Sequence, residues 1–217
     1  MIKVKRIGLT FWVSAVMVIL FRSPAWAWDF QEGDILFQAM NTSQSLALVM
    51  ATGSEFTHCG IVFKSGDKFY VYEAVGATVM TPIEKFIERS QGPVVQTRLR
   101  DPSILTPEAL VNMKKVGAVF DHKLYDFHFM WSDDRIYCSE LVYKIYERGL
   151  GLELTPLKHF RDYNLRHPAV RALIEKRFKG KGPLEEMNEL VVAPVDLLNS
   201  VYLEEVARIP GGNGRGQ

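Results

Sequence analysis

The sequence predicts an α+β protein in which an antiparallel sheet packs against helices. In the first half of the chain, short runs of apolar, β-branched and aromatic residues are separated by turn signals, which is typical of strands. The second half carries two longer amphipathic segments, residues 106–120 and 138–151, with helix start and stop signals. Strands followed by helices, rather than alternating with them, favour the α+β class.

The elements follow one another with recognisable boundaries. Gly53 is a stop signal for the first helix, and Ser65-Gly66 is the predicted two-residue turn of a hairpin. Thr81-Pro82 and Thr106-Pro107 each combine a cap with a proline at the first helical position. The predicted strands are 32–38, the two arms of a hairpin at 57–76, 93–100 and 189–193, and the predicted helices are 45–53, 81–89, 106–120 and 138–151.

The first 27 residues have the order of a secretory signal peptide. Basic residues precede an apolar run at about residues 7–21, and a small-x-small sequence, Ala-Trp-Ala, occupies 25–27. The alternative is an uncleaved membrane anchor, but the run is shorter than the roughly 20 apolar residues that a span needs. We therefore expect cleavage after Ala27, a secreted, periplasmic protein and no stable membrane span in the mature chain.

Composition and charge give no indication of a polyanionic partner. Residues 1–27 carry four of the 26 basic residues and no acidic ones, so the remainder has 22 basic and 25 acidic residues and a net charge of −3. The densest basic stretch, 175–182, is followed by three glutamates and is predicted to be a solvated helix end, so no nucleic-acid partner is expected. We expect one domain over residues 28–210 and a disordered tail at 211–217.

The predicted hairpin brings a histidine and a carboxylate to one face. A two-residue turn at Ser65-Gly66 pairs positions whose numbers sum to 131, which places His58 opposite Glu73. Because side chains alternate between faces, His58 shares a face with Val62, Val71 and Glu73, while its neighbour Cys59 points the other way. Glu73 either pairs with His58, which relieves the cost of a charge on an apolar face, or simply reaches water near the strand end.

Cys138 stands where an irregular segment turns into a helix. With Leu141, Val142 and Ile145 it follows the spacing of one helix face, so a packed core cysteine is one interpretation. The first turn of a helix also stabilises a thiolate and can hold an oxyanion. With only Cys59 and Cys138 in the mature chain, either the two form a single bridge, or one is structural and the other reactive.

Four short motifs carry a resemblance to a known family. The stretches GDILFQ, SEFTHCGIVF, VYEA and above all YCSELV, which fall between about Gly33 and Gly149, resemble the YiiX/YebB-like branch of the NlpC/P60 superfamily, the circularly permuted papain-like hydrolases. The resemblance implies a permuted papain-like fold with His58 as base, Glu73 as the residue that orients it and Cys138 as nucleophile. Cys59 departs from the pattern, because that position is often apolar, and nothing is implied beyond about Leu154.

The triad in turn predicts that Cys138 is a free thiol. If His58 faces the cleft, Cys59 projects from the opposite side of the strand, and a disulfide needs Cβ atoms roughly 3.5–4.5 Å apart. The oxidising compartment is the counterargument. No metal or other cofactor is predicted. His122 and His128 lie six residues apart in an irregular segment, and the sequence contains no metal-binding spacing.

Minor roles are predicted for residues around Cys138. Tyr137 and Ser139 flank it and are candidates for its oxyanion site. The aromatic stretch at 125–129, with Trp131, is expected to pack, and the alternative is that it lines a substrate cleft near Cys138. The interpretation is a cysteine hydrolase that cleaves an amide bond of a peptide or peptidoglycan stem. The alternatives are a lipid-acyl hydrolase or acyltransferase, and a non-catalytic envelope binding module on the same fold. No oligomeric state is predicted.

Overall fold

The computed structural model describes residues 28–178 and 188–212. The predicted leader, 1–27, and residues 213–217 of the predicted tail lie outside them. The strands are β1 Ile35–Gln38, β2 His58–Ser65, β3 Lys68–Val75, β4 Ala77–Pro82, β5 Val94–Leu99, β6 Lys158–His159, β7 Leu190–Val191 and β8 Leu203–Ile209. The helices are α1 Ser45–Thr52, α2 Ile83–Glu88, α3 Pro107–Val119, α4 Cys138–Leu150, α5 Pro168–Phe178 and α6 Pro194–Leu198.

Six strands form one antiparallel sheet in the order β4-β3-β2-β1-β5-β8, and β6 pairs with β7 separately. The predicted α+β architecture, with an antiparallel sheet against helices, is confirmed. Two strands of the six-stranded sheet were not predicted, and neither was the two-residue strand β6. β4 occupies residues where a helix was expected to begin, because Thr81 pairs with Val71 in the sheet, so α2 starts only at Ile83. β8 was not predicted, because it is an edge strand whose residues are mostly exposed.

The sheet has an apolar cluster on each side. One side carries Leu36, Val62 and Val71 and is covered by α2. The other carries Ile35, Cys59 and Ile61 and packs against α4. The predicted division of the hairpin residues between two faces is therefore confirmed, with Cys59 and Ile61 on one side and Val62 and Val71 on the other.

The hairpin register differs from the prediction by two positions. Ser65 pairs with Lys68, so Gly66 and Asp67 form the turn, and Gly66 takes a positive φ of 58°. The predicted direct pairing of His58 with Glu73 is wrong. Because the shift is an even number of residues, every side chain stays on its predicted face.

The last described residues pack against the turn that follows α2. Gly211 and Gly212, the first residues of the predicted tail, pack against the turn at residues 88–92, where an added Cβ would collide with backbone oxygens.

Among the described residues, no helix has the length and apolar character needed to cross a membrane.

Candidate active site

The end of the hairpin joins His58 to Glu73. The imidazole Nε2 of His58 lies 2.5 Å from Oε2 of Glu73, and both residues are buried. Gly60 makes this diagonal contact possible, since a Cβ there would lie 2.5 Å from Cγ1 of Val71 and 3.0 Å from Cβ of Glu73. The alternative in which Glu73 reaches water is wrong, because its exposure is 0%.

The Glu73 carboxylate is held by three donors. Besides His58, Thr81 donates its hydroxyl to Oε1 at 2.5 Å, and Arg89 donates to Oε2. Gln38, in the amide orientation that satisfies its neighbours, accepts from Nε of Arg89 at 3.1 Å and donates to the carbonyl of Phe86 at 3.0 Å. Burial favours protonation, but His58 and then Arg89 outweigh it and lower the pKa of Glu73, so the carboxylate stays ionised.

Cys138 is the first residue of α4, and its neighbours fix that helix end. The Ser139 hydroxyl donates to the carbonyl of Val192 at 2.7 Å, and Tyr137 accepts from the Val192 amide at 3.2 Å. The Glu140 carboxylate accepts from the Tyr137 amide at 3.4 Å. The hydroxyls of Tyr137 and Ser139, predicted candidates for an oxyanion site, are thus engaged in anchoring α4 to residues 191–193.

His58 and Cys138 form a polarised pair. Burial lowers the pKa of His58, but the charge and hydrogen bonding of Cys138 and Glu73 outweigh burial and raise it to about 9. A hydrogen bond from Cys59 and the charge of His58 lower the pKa of Cys138 well below its usual value despite burial. Position at a helix N-terminus acts in the same direction. Both shifts favour the form of the pair with a Cys138 thiolate and a His58 imidazolium.

Cys59 lies beside Cys138, which is contrary to the prediction. Both belong to the cluster between the sheet and α4, and burial followed by the neighbouring Cys138 raises the pKa of Cys59 well above its usual value. The reason is that α4 packs on the face of β2 that carries Cys59, and His58, the first residue of β2, reaches Cys138 from the strand end. Both cysteines are free thiols in the structure, so Cys138 is free as predicted, although the geometric argument for it was wrong.

Cys59 is expected to tune the Cys138 thiolate. Replacing Cys59 by alanine removes the thiol that hydrogen-bonds to the Cys138 sulfur, so the pKa of Cys138 should rise. The measurement is the rate of Cys138 alkylation by iodoacetamide against pH, whose acid limb should move to higher pH in Cys59→Ala. Cys59→Ser keeps a donor and should move the limb less. An unchanged limb in both variants would contradict the assignment.

Tyr125 and Phe129 line the same cavity as Cys138, as the alternative for the aromatic stretch predicted, whereas Gln44 was not predicted as a site residue. Burial and the adjacent Cys138 raise the pKa of Tyr125 well above its usual value, so the phenol keeps its proton and can donate. Gln44 donates to the Tyr125 hydroxyl at 3.4 Å. No local signal marks Gln44, which lies far from Cys138 in sequence. His128, by contrast, packs edge-on against Phe178, away from the site.

The site opens into two spaces of different character. One, the apolar cavity, encloses about 750 Å³ including its mouth, and Cys138 lies in its wall. The other, the second pocket, encloses about 610 Å³ and has a mixed lining that includes His58, Thr42 and Ser43. Tyr125 and Thr57 border both. Other residues that line the apolar cavity include Leu48, Phe129, Phe160, Val170, Leu173 and Ile174.

A papain-like arrangement in which the histidine precedes the cysteine defines a class of proteins, and the comparisons agree with it. Residues 29–207 match the model of the family described as "Permuted papain-like amidase enzyme, YaeF/YiiX, C92 family". The chain therefore belongs to the permuted papain-like amidases of the YaeF/YiiX family, and the predicted permuted papain-like fold and YiiX-like resemblance are confirmed.

Two relatives in Escherichia coli are similar to the chain. The uncharacterized protein YiiX of strain K12 is 35% identical over 194 residues, which cover 89% of this chain and 94% of the relative. A crystal structure described as metalloprotein yiiX from strain O157:H7 superposes with a TM-score of 0.77 at 35% identity, over 83% of this chain and 98% of that one.

Proposed function

We propose that the chain is a cysteine amidase in which Cys138 attacks, His58 transfers the proton and Glu73 orients His58. The observation that carries the proposal is the buried hydrogen bond between His58 and Glu73, together with the position of Cys138 at the start of α4, where His58 lowers the pKa of the thiol. Membership in an amidase family supports a hydrolase acting on peptide-type bonds. A wider relationship to the NlpC/P60 superfamily belongs to the same proposal and rests on the sequence motifs.

The geometry supplies each step of an acyl-transfer reaction. The Cys138 thiolate forms a bond to the carbonyl carbon, and His58, whose Nε2 is held by Glu73, gives a proton to the departing nitrogen as the amide bond breaks. Water, deprotonated by His58, then cleaves the thioester and releases the carboxylic acid and the thiol. Backbone amides of the first turn of α4 and the Tyr125 hydroxyl are the donors available to the oxyanion.

The two spaces around Cys138 favour substrates with an apolar acyl part. A carbonyl at Cys138 lies at the wall of the apolar cavity, and His58 borders the second pocket, which shares Thr57 and Tyr125 with that cavity. Amides of peptides or peptidoglycan stems are the first candidates, as expected from the sequence. The apolar lining specifically supports the second candidate, a lipid-acyl hydrolase or acyltransferase.

The function is tested by incubating the purified mature chain with peptides, peptidoglycan fragments and acyl lipids, and identifying products by mass spectrometry. An acid and an amine or alcohol as products support hydrolysis, and acyl transfer gives a new ester or amide. A non-catalytic binding module predicts a Cys138 that iodoacetamide does not label near neutral pH. Absence of products together with an inert Cys138 would therefore overturn the proposal.

The pH dependence should carry the signature of the ion pair. Turnover of p-nitrophenyl acetate is expected to be constant near neutral pH and to fall as pH rises through about 9, where His58 loses its proton. Glu73 contributes to raising that pKa, so Glu73→Gln should move the alkaline limb to lower pH. An alkaline limb that does not move in Glu73→Gln would argue against the coupling.

The relative described as a metalloprotein raises the question of a metal ion here. In the portions of the chain that the structure describes, no group of three or more His, Cys, Asp or Glu side chains could hold one. Glu73 is committed to His58, Thr81 and Arg89, so the residues present do not fit a metal, and the proposed steps use none. Export, cleavage after Ala27 and a periplasmic location remain proposals that rest on the leader sequence.

A further inference from the structure

Arg177 lies at the rim of the apolar cavity, near the end of α5. Its guanidinium carbon is 5.0 Å from the ring centre of Phe129 and 5.7 Å from that of Phe127. The Phe127 side chain is half exposed, which places the group where the cavity meets solvent. Arg177 is therefore a cation in the wall of an otherwise largely apolar space that also contains Cys138.

The guanidinium is only partly paired. Nη2 donates to the Gln44 side-chain oxygen, whereas Nη1 is buried and has no hydrogen-bond partner among the described residues. Asp126 is the acidic residue whose charge acts on Arg177, but its oxygens accept from the amides of His128 at 2.8 Å and Met130 at 2.6 Å. Within residues 28–178 and 188–212, no carboxylate lies within 4.0 Å of Arg177.

A favourable interaction with the helix dipole does not explain this arrangement. A cation near the end of a helix is favourable, but Lys176, the exposed preceding residue, provides one in water. Burying a guanidinium nitrogen without an acceptor is costly, and the burial lowers the pKa of Arg177. A planar, two-pronged donor that is preorganised between two aromatic rings is instead suited to a carboxylate or phosphate.

We propose that Arg177 binds an anionic group, a carboxylate or a phosphate, on a substrate whose apolar part occupies the cavity beside Cys138. The proposal rests on the proposed function, since it assigns the substrate class of the same site. Gln44 links Arg177 to Tyr125, because its side chain accepts a hydrogen bond from Arg177 and donates one to the Tyr125 hydroxyl. An anion completes the pairing of the guanidinium when the side chain turns Nη1, which is closed to solvent here, toward the cavity.

A matched pair of ligands tests the anion site without requiring catalysis. The protein is the full mature chain with Cys138→Ala, which prevents turnover, and the probes are 3-phenylpropanoate and its neutral amide, 3-phenylpropanamide. Both present the same ring to the cavity. NMR titration is expected to show the carboxylate binding about tenfold more tightly than the amide, as for a charge-assisted hydrogen bond. Titration with 2-phenylethyl phosphate shows which of the two anions is preferred.

The preference for the anion must depend on Arg177. In Cys138→Ala/Arg177→Met the carboxylate is expected to bind no better than the amide, while Arg177→Lys keeps part of the difference. Arg171→Met is the matched control, because it removes the same charge from an exposed position of α5 and should leave the preference unchanged. Thermal unfolding verifies that each variant is folded.

Three outcomes would overturn the proposal. The first is an anion preference that persists after Arg177→Met. The second is an equal loss of binding of both ligands in that variant while the fold is retained. The third is failure of the carboxylate to bind the Cys138→Ala protein. Because binding is measured without turnover, each outcome is distinct from failure of the hydrolase assignment, which depends on the reactivity of Cys138 and on product formation.

Discussion

Replacing Cys138 by alanine is expected to abolish turnover, with a loss of about 10⁴-fold or more. Without the sulfur, no thioester can form, and the remaining groups can only polarise a bound carbonyl. His58→Ala should cost a comparable factor, because Nε2 contacts Glu73 and the ring contacts Cys138. Glu73→Gln should retain residual activity, since the carboxylate orients the base and takes no part in bond breaking.

The controls for this prediction come from the same cluster of the core. Cys59→Ala removes an equally buried thiol beside the site and should keep turnover, with a shifted pH dependence. Circular dichroism and thermal unfolding show whether each variant is folded. Product formation by folded Cys138→Ala at the rate of the unmodified protein would refute the mechanism.

The sequence predicted which face of the hairpin carries His58 and Glu73, but not how the candidate site is arranged. The alternation of side chains in the hairpin assigned His58 and Glu73 to one face, and that assignment survived a register error because the error was two residues. A shift of one residue would have reversed it. The bounds of α4 were also predictable. The apolar spacing begins at Cys138, and the glycine at 151 is a local signal for the end of the helix.

What the sequence did not show is which face of the sheet α4 covers. That choice depends on how complete elements pack, and it places Cys59 beside Cys138 rather than behind the strand. Gln44 and Arg177 were missed for the same reason: each reaches the site by a contact between residues distant in sequence. Glu73 had one foreseeable partner, but Arg89 joins it only because α2 ends close to β3.

Replacing Lys144 by methionine is expected to lower the free energy of unfolding by about 3 kcal/mol, the range for removing one partner of a buried ion pair. The Lys144 ammonium is 2.6 Å from Glu140, 2.8 Å from Asp133 and 2.7 Å from the carbonyl of Ser132. The Lys144 and Glu140 side chains are 1% and 0% exposed. Urea unfolding followed by circular dichroism measures the loss.

The loss should grow with pH, and its sign follows from Glu140. Burial raises the pKa of Glu140 to about 8, although Lys144 opposes that shift. Without Lys144 the folded pKa rises further, whereas the unfolded value stays near 4.3. The folded state of the variant then binds the extra proton up to a higher pH, so its stability keeps falling above about pH 8, where the contribution of Glu140 in the unmodified protein levels off.

Two further variants show whether the buried pair is the cause. Arg148→Met removes a cation from the same helix that also contacts Asp133 but is 38% exposed, and it should cost less than about 1 kcal/mol. Lys144→Met/Glu140→Met removes both charges and should recover much of the stability and the pH dependence. Because Glu140 also accepts from the Tyr137 amide beside Cys138, the double variant should still lose turnover if this contact positions the start of α4. Equal stability of Lys144→Met and Arg148→Met at every pH would mean that the buried pair contributes nothing to the fold.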